Sequence, residues 1–78
     1  MFEKIREILC QYTEVDEAKI DLDSNLQYDL DLNSFDVLNI IVEFEDIFNV
    51  EIADTDVRSF ITVRDIEEYL ISLVNKDQ

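Results

Sequence analysis

Neither glycine nor proline occurs anywhere in this 78-residue chain, and that absence constrains its fold more than any residue it contains. Glycine normally supplies the left-handed positions of tight turns, and proline the rigid breaks between elements. Without them, Asp, Asn, Ser and Thr must mark the boundaries between stretches of apolar period. No internal repeat and no linker is visible.

Phe2, Ile5, Ile8, Leu9 and Tyr12 recur at spacings of three and four. They predict a first amphipathic helix ending near Tyr12, with Glu3, Lys4, Arg6 and Glu7 on its wet side. From Thr13 to about Asn33 the helical period is lost. Val15, Ala18, Ile20, Leu22, Leu26, Tyr28, Leu30 and Leu32 are scattered among acids and amides. Ile20-Asp21-Leu22-Asp23 alternates as a strand would, but no second strong strand exists to pair with it. The segment reads as a long loop pinned by apolar anchors, and loops of this length in small domains are usually functional. A second helix is expected from Asn33 or Ser34 to about Phe48. Either residue can cap it, Asp36 follows Asn33 by three, and Asn49 suits a left-handed stop. A short third helix is expected from Asp54 or Thr55, carrying Val57 into the core. The last is expected to be capped by Thr62, with Asp65 at its third position and a stripe of Ile66, Tyr69 or Leu70, Leu73 and Val74. Residues Asn75 to Gln78 are expected to fray. The reading is all-α: one domain over 1–78, a small four-helix bundle of three longer helices and a short third one, with a long loop between helices 1 and 2.

The second helix carries two apolar faces. At about 100° per residue, Val37, Ile40, Ile41, Phe44, Ile47 and Phe48 fall on one wide face, the expected core. Phe35, Leu38 and Val42 fall on roughly the opposite side, where so small a domain has no second core to bury them. Asp36, Glu43, Glu45 and Asp46 border this outer stripe. An apolar strip with an acidic rim reads as a docking face for basic proteins that offer an apolar groove.

Charge points the same way. Six basic residues stand against twenty acidic ones, a formal net charge of -14. Phosphates would be repelled, which argues against nucleic acid and anionic membrane as ligands and for basic protein surfaces. Hydrophobic residues are 47% of the chain, too many for a disordered acidic tail. Cys10 is the single cysteine, so no internal disulfide forms, which fits a reducing cytosol. No stretch approaches the roughly 20 apolar residues of a membrane span, and Met1-Phe2-Glu3-Lys4 lacks the apolar region of a signal peptide. A cytoplasmic monomer is expected.

Catalysis is poorly supplied, and the chain is not expected to be an enzyme. Histidine is absent, no Gly-rich loop exists to hold phosphates, and no base is placed to activate Ser34. Asp21-Leu22-Asp23-Ser24-Asn25 matches the opening ligands of a calcium loop, but Leu26 stands where the turn needs glycine and Leu32 where a bidentate glutamate is required. Transition metals lack imidazole and paired thiol ligands. What remains is Ser34 as an attachment point. Its hydroxyl stands at a helix N-terminus after a long loop, where the positive end of the helix favours a phosphodiester. The same position also suits an ordinary N-cap serine.

Asp29-Leu30-Asp31-Leu32-Asn33-Ser34-Phe35-Asp36 resembles the motif of the acyl carrier protein family, a D-L-G-x-D-S-L-D-like run around a modified serine. The resemblance continues through Glu43-Phe44-Glu45-Asp46-Ile47-Phe48-Asn49-Val50-Glu51-Ile52 and Ile61-Thr62-Val63-Arg64-Asp65, and so covers essentially the whole chain. It implies that Ser34 bears 4′-phosphopantetheine, taken from coenzyme A by a phosphopantetheinyl transferase (holo-ACP synthase), and that the terminal thiol carries acyl groups as thioesters. It implies a shuttle for fatty acid, polyketide or related biosynthesis, with acyl-transferring and synthase enzymes as partners. Phe35, Leu38 and Val42 match the family's apolar docking positions, and Asp36, Glu45 and Asp46 its acids that meet basic patches. The apolar interior beside the second helix would shelter an acyl chain. The alternative is an unmodified acidic binding module of the same fold. Departures from the family pattern are Asn33 where Asp is usual, Asp31 where glycine is common, Phe35 for leucine, Asn39 for glutamate and Ala53 for proline. They bear on partner choice more than on fold.

Overall fold

Two of the described residues take the left-handed backbone that glycine would otherwise supply, Asp31 (φ 54°) and Asn49 (φ 55°). Asp and Asn tolerate this region better than other side chains, so the chain turns there without glycine. The computed structural model describes residues 1–75: Asn75, expected to fray, closes the last helix, and the expected fraying of Lys76, Asp77 and Gln78 lies outside the described residues.

Four helices follow the order read from the sequence: α1 Phe2–Leu9, α2 Ser34–Phe48, α3 Asp54–Val57 and α4 Val63–Asn75. Helix α1 stops three residues sooner than expected. The Gln11 and Tyr12 N–H groups donate three residues back, to Ile8 and Leu9, at 3.1 and 3.0 Å, the tightened turn by which a helix end satisfies its last carbonyls. Helix α2 ends as expected, with Asn49 left-handed and its N–H donating to the Glu45 carbonyl. At the start of α4, Asp65 Oδ2 accepts from the Ile61 and Thr62 N–H groups, both at 2.9 Å, and Thr62 Oγ1 accepts from the Asp65 N–H at 3.4 Å. That is the capping box expected of Thr62 and Asp65.

The core lies where α1 packs against α2 and α4. Ile5, Ile8 and Leu9 meet Ile40, Ile41 and Phe44 of α2 and Val63, Ile66 and Leu70 of α4. Burying each such side chain contributes about 1.5–3 kcal/mol. The expected core face of α2 needs one correction: Ile47 is 45% exposed. It sits about 60° from Phe44 on the helix circumference, at a margin that no neighbour covers.

The segment before α2 is the expected loop, with one 3₁₀ turn at Glu17–Lys19 and no strand at 20–23. Ile20, Leu26, Leu30 and Leu32 are buried anchors, and backbone bonds tie the segment to residues 61–64. The Leu26 N–H donates to the Ile61 carbonyl (3.0 Å), Val63 to Ser24 (3.1 Å) and Arg64 to Leu22 (2.9 Å). A single bridge pairs Asn25 with Thr62. The loop is thereby fastened to the entrance of α4 and held beside the start of α2. The Tyr69 hydroxyl donates to Asp56 at 2.7 Å, and the Tyr69 ring meets Phe60 edge-on at 5.1 Å, which fixes α3 against α4. Among the described residues no helix is long and apolar enough to cross a membrane.

Candidate functional site

Asn33, and not Ser34, caps α2. Its backbone is extended (φ -94°, ψ 178°), its Oδ1 accepts from the Asp36 N–H at 2.8 Å, and Asp36 Oδ2 accepts in return from the Asn33 N–H at 3.2 Å. With both bonds of the box made by its neighbours, Ser34 is the first residue of the helix, exposed and relieved of the capping role. The left-handed turn at Asp31 and the buried Leu32 bring the chain into this cap. Asp31 thus stands where the resembled motif has glycine because the backbone there is left-handed.

Ser34 opens on a cleft of about 810 Å³. Loop residues 25–28 form one wall, α2 a second, and α3 with residues 58, 60 and 61 the third. Val37 and Leu38, three and four residues after Ser34, stack beneath it on the same side of the helix and line the cleft with Val57, Phe60 and Ile61. A hydroxyl at the positive end of a helix, above a mostly apolar space, fits a long flexible arm joined through a phosphodiester. The residues present therefore suit phosphopantetheine.

On the outward side, Phe35, Leu38 and Val42 are 78%, 51% and 61% exposed. Neither α1 nor the loop covers them. The acids beside them are less free than a solvated rim would be. Asp36 is bound in the cap, Glu45 Oε2 accepts from the Ile52 N–H at 2.9 Å, and Glu43 accepts from the Tyr12 hydroxyl. That last bond pushes the Tyr12 hydroxyl above its ordinary pKa. Asp46 points to solvent.

The calcium-loop pattern is spent locally. Asp21 Oδ1 accepts from the Asp23 N–H (2.9 Å) and the Ser24 hydroxyl (3.4 Å), Asp29 Oδ2 accepts from the Asn25 N–H (2.7 Å), and Asp23 pairs with Arg64 at 3.0 Å. Among the described residues no three metal-binding side chains gather. Cys10 is half-buried against the core.

Of the residues that line the cleft, the sequence singles out only Ser34 and Leu38 as site residues. Tyr28 had been read as a loop anchor and Ile61 as a lead into α4; both are exposed at the cleft. Arg58 lines it too. A signal for Arg58 existed: no Lys or Arg lies between Lys19 and Arg58.

Comparison with known proteins agrees with this geometry. The family model described as the phosphopantetheine attachment site matches residues 3–70. The acyl carrier protein of Phytoplasma mali is 34% identical over 70 residues, spanning 90% of this chain and 83% of that protein. That of Phytoplasma australiense is 37% identical, spanning 90% and 92%. The structure of the acyl carrier protein from Enterococcus faecalis superposes with a TM-score of 0.80 at 26% identity, covering 92% of this chain and 91% of that one. A serine freed from capping at the mouth of an apolar cleft, the four-helix fold and these likenesses together mean that the chain belongs to the acyl carrier protein family, whose members carry phosphopantetheine.

Proposed function

We propose that Ser34 is the residue of this chain that receives 4′-phosphopantetheine, transferred from coenzyme A by a phosphopantetheinyl transferase. The carrying observation is that Asn33 and Asp36 cap α2 between themselves, so the Ser34 hydroxyl stands exposed on the first turn above the cleft. Bound there, the arm supplies a terminal thiol that holds acyl groups as thioesters. The chain's own residues attach it, orient it and offer it shelter. The positive end of α2 faces the phosphodiester, while Val37, Leu38, Val57, Phe60 and Ile61 present the apolar walls.

The chain acts as a shuttle with no catalysis of its own, a single domain over 1–78, working as a cytoplasmic monomer in fatty acid, polyketide or related biosynthesis. Partner enzymes meet the exposed Phe35, Leu38 and Val42 with an apolar groove, and Asp46, Asp36 and Glu45 with basic side chains. The charge of -14 supports fast, salt-sensitive encounter with such surfaces.

Intact mass after incubation with coenzyme A and a broad-specificity transferase tests the attachment. Wild type should gain one phosphopantetheine and Ser34→Ala none. A gain on the Ser34→Ala variant would place the arm elsewhere.

A further inference from the structure

The chain has six basic residues, and three of the five that are described are occupied, Lys19 and Arg58 being the other two. Lys4 pairs with Glu7, Arg6 with Glu17 and Arg64 with Asp23. Arg58 has no carboxylate within ion-pair distance among the described residues, and it lines the same cleft as Ser34. One other charged side chain lines that cleft, Asp54. Both Ser34 and Arg58 are exposed, so they share the rim and not the floor. The two line one cleft of about 810 Å³, and charges interact over about one Debye length, ~10 Å at 0.1 M salt. An exposed guanidinium on a long flexible stem thus stands within electrostatic reach of anything attached to Ser34, in a chain whose charge otherwise repels anions.

We propose that Arg58 holds the phosphodiester formed on Ser34, and so turns the arm inward along the cleft instead of leaving it in solvent. This rests on Ser34 being the attachment residue. The phosphodiester is the anion fixed at the rim, where Arg58 also stands. It carries a full negative charge at neutral pH, and a guanidinium matches its paired oxygens with two parallel N–H donors. The positive end of α2 meets the same group from the other side. Arg58 is a positioning residue in this scheme. Asp54, on the same wall, opposes it by repelling the phosphodiester and competing for the guanidinium.

The experiment compares unmodified and modified forms of wild type, Arg58→Gln, Arg58→Lys and Asp54→Asn, after mass measurement has established that each carries the arm. Failure of wild type to take the arm would refute the Ser34 reading and with it the role of Arg58. The readouts are the phosphorus-31 chemical shift of the phosphodiester and the change in melting temperature between the two forms, at low and high salt. Wild type should show a salt-sensitive shift and a more favourable melting change on modification than Arg58→Gln, in which both effects fall by half or more. Arg58→Lys should restore part of them, and Asp54→Asn should enlarge them. Equal behaviour of wild type and Arg58→Gln, both modified, overturns the role of Arg58 while leaving Ser34 in place. A last arm loads the thiol with acetyl or with a dicarboxylic half-acyl group. If Arg58→Gln differs from wild type only with the second, the anion it holds is a cargo carboxylate, and the assignment to the phosphodiester is wrong.

Discussion

Asn33→Ala removes the oxygen that accepts the Asp36 N–H at 2.8 Å and leaves the reciprocal 3.2 Å bond to the Asn33 N–H possible. Loss of an N-cap side chain costs about 1 kcal/mol, within a range of roughly 0.5–2. In a domain of this size that corresponds to a fall of about 4–8 °C in melting temperature. Asn33→Asp should behave differently. It keeps the acceptor and gains about 0.3–1 kcal/mol from the helix macrodipole. Against that, it sets a second carboxylate near Asp36, and two unit charges 4 Å apart in water repel by about 1 kcal/mol. The terms nearly cancel, so Asn33→Asp should melt within a few degrees of wild type. Circular dichroism melts at one fixed salt concentration measure both. The first turn that presents Ser34 should fray in Asn33→Ala, so its modification rate should fall while that of Asn33→Asp holds. If Asn33→Ala melts with wild type and Asn33→Asp drops, charge and not capping governs this turn, and the reasoning fails.

Two further outcomes follow from the same chemistry. At Asp31 (φ 54°), glycine relieves the left-handed backbone but loosens the unfolded chain, by about 0.4–1 kcal/mol, whereas alanine keeps the steric cost of roughly 1–2 kcal/mol; in urea unfolding, Asp31→Ala should fall below Asp31→Gly, and equal midpoints for the two variants would contradict the left-handed assignment. The Asp65 carboxyl is held below its ordinary value, chiefly by the hydrogen bond from the Thr62 N–H, then by that from Ile61, against the opposing effect of burial. A depressed folded pKa gives stability that is complete above the unfolded value of about 3.9 and lost as pH falls through the folded one. Stability measured from pH 5 down to pH 2 should therefore decline less in Asp65→Asn than in wild type, and parallel curves would remove Asp65 from the account.

The limits of α2 and the start of α4 were legible because their capping residues act locally, whereas α1, with no side-chain cap, stops three residues short of Tyr12. Asn33 with Asp36, Asn49, and Thr62 with Asp65 each satisfy groups within a turn of themselves, so the chemistry of a limit is written beside it. Two things escaped that reading. The loop's partner is residues 61–64, reached through one bridge and a few backbone bonds, and so short a pairing leaves no alternating run on either side. The helical wheel placed Ile47 and Ile41 on opposite margins of the core face, but it cannot say which margin a neighbour covers; Ile41 is buried and Ile47 is not. Ser34 itself was visible, first by elimination and then by resemblance. Its release from capping was not, because Asn33 and Ser34 are both good caps and backbone geometry alone decides between them. The cleft was visible least, since its walls come from three separated segments and its charged member, Arg58, belongs to no motif.

Asp36, Glu43, Glu45 and Asp46 read in the sequence as a docking rim, yet several acids of this chain stand in for the missing glycine and proline. Asp36 and Asp65 close helix starts, Asp21 and Asp29 tie turns of the loop, and Glu45 receives the Ile52 N–H where α2 gives way to the next segment. Structural use does not remove these groups from recognition. An ionised carboxylate offers about four acceptor sites, and one internal bond, as Glu45 makes, leaves the others for a partner's ammonium or guanidinium. Such a bond also holds the side chain in one place, so a partner's cation meets an oxygen whose rotamer entropy is already lost. Asp46, which is solvent-facing, must still be ordered on contact. The same internal bonds that fold a chain lacking glycine and proline would therefore pre-set part of the proposed docking face. The charge proposed to steer partners from a distance and the charge that caps and ties the helices are in part the same side chains.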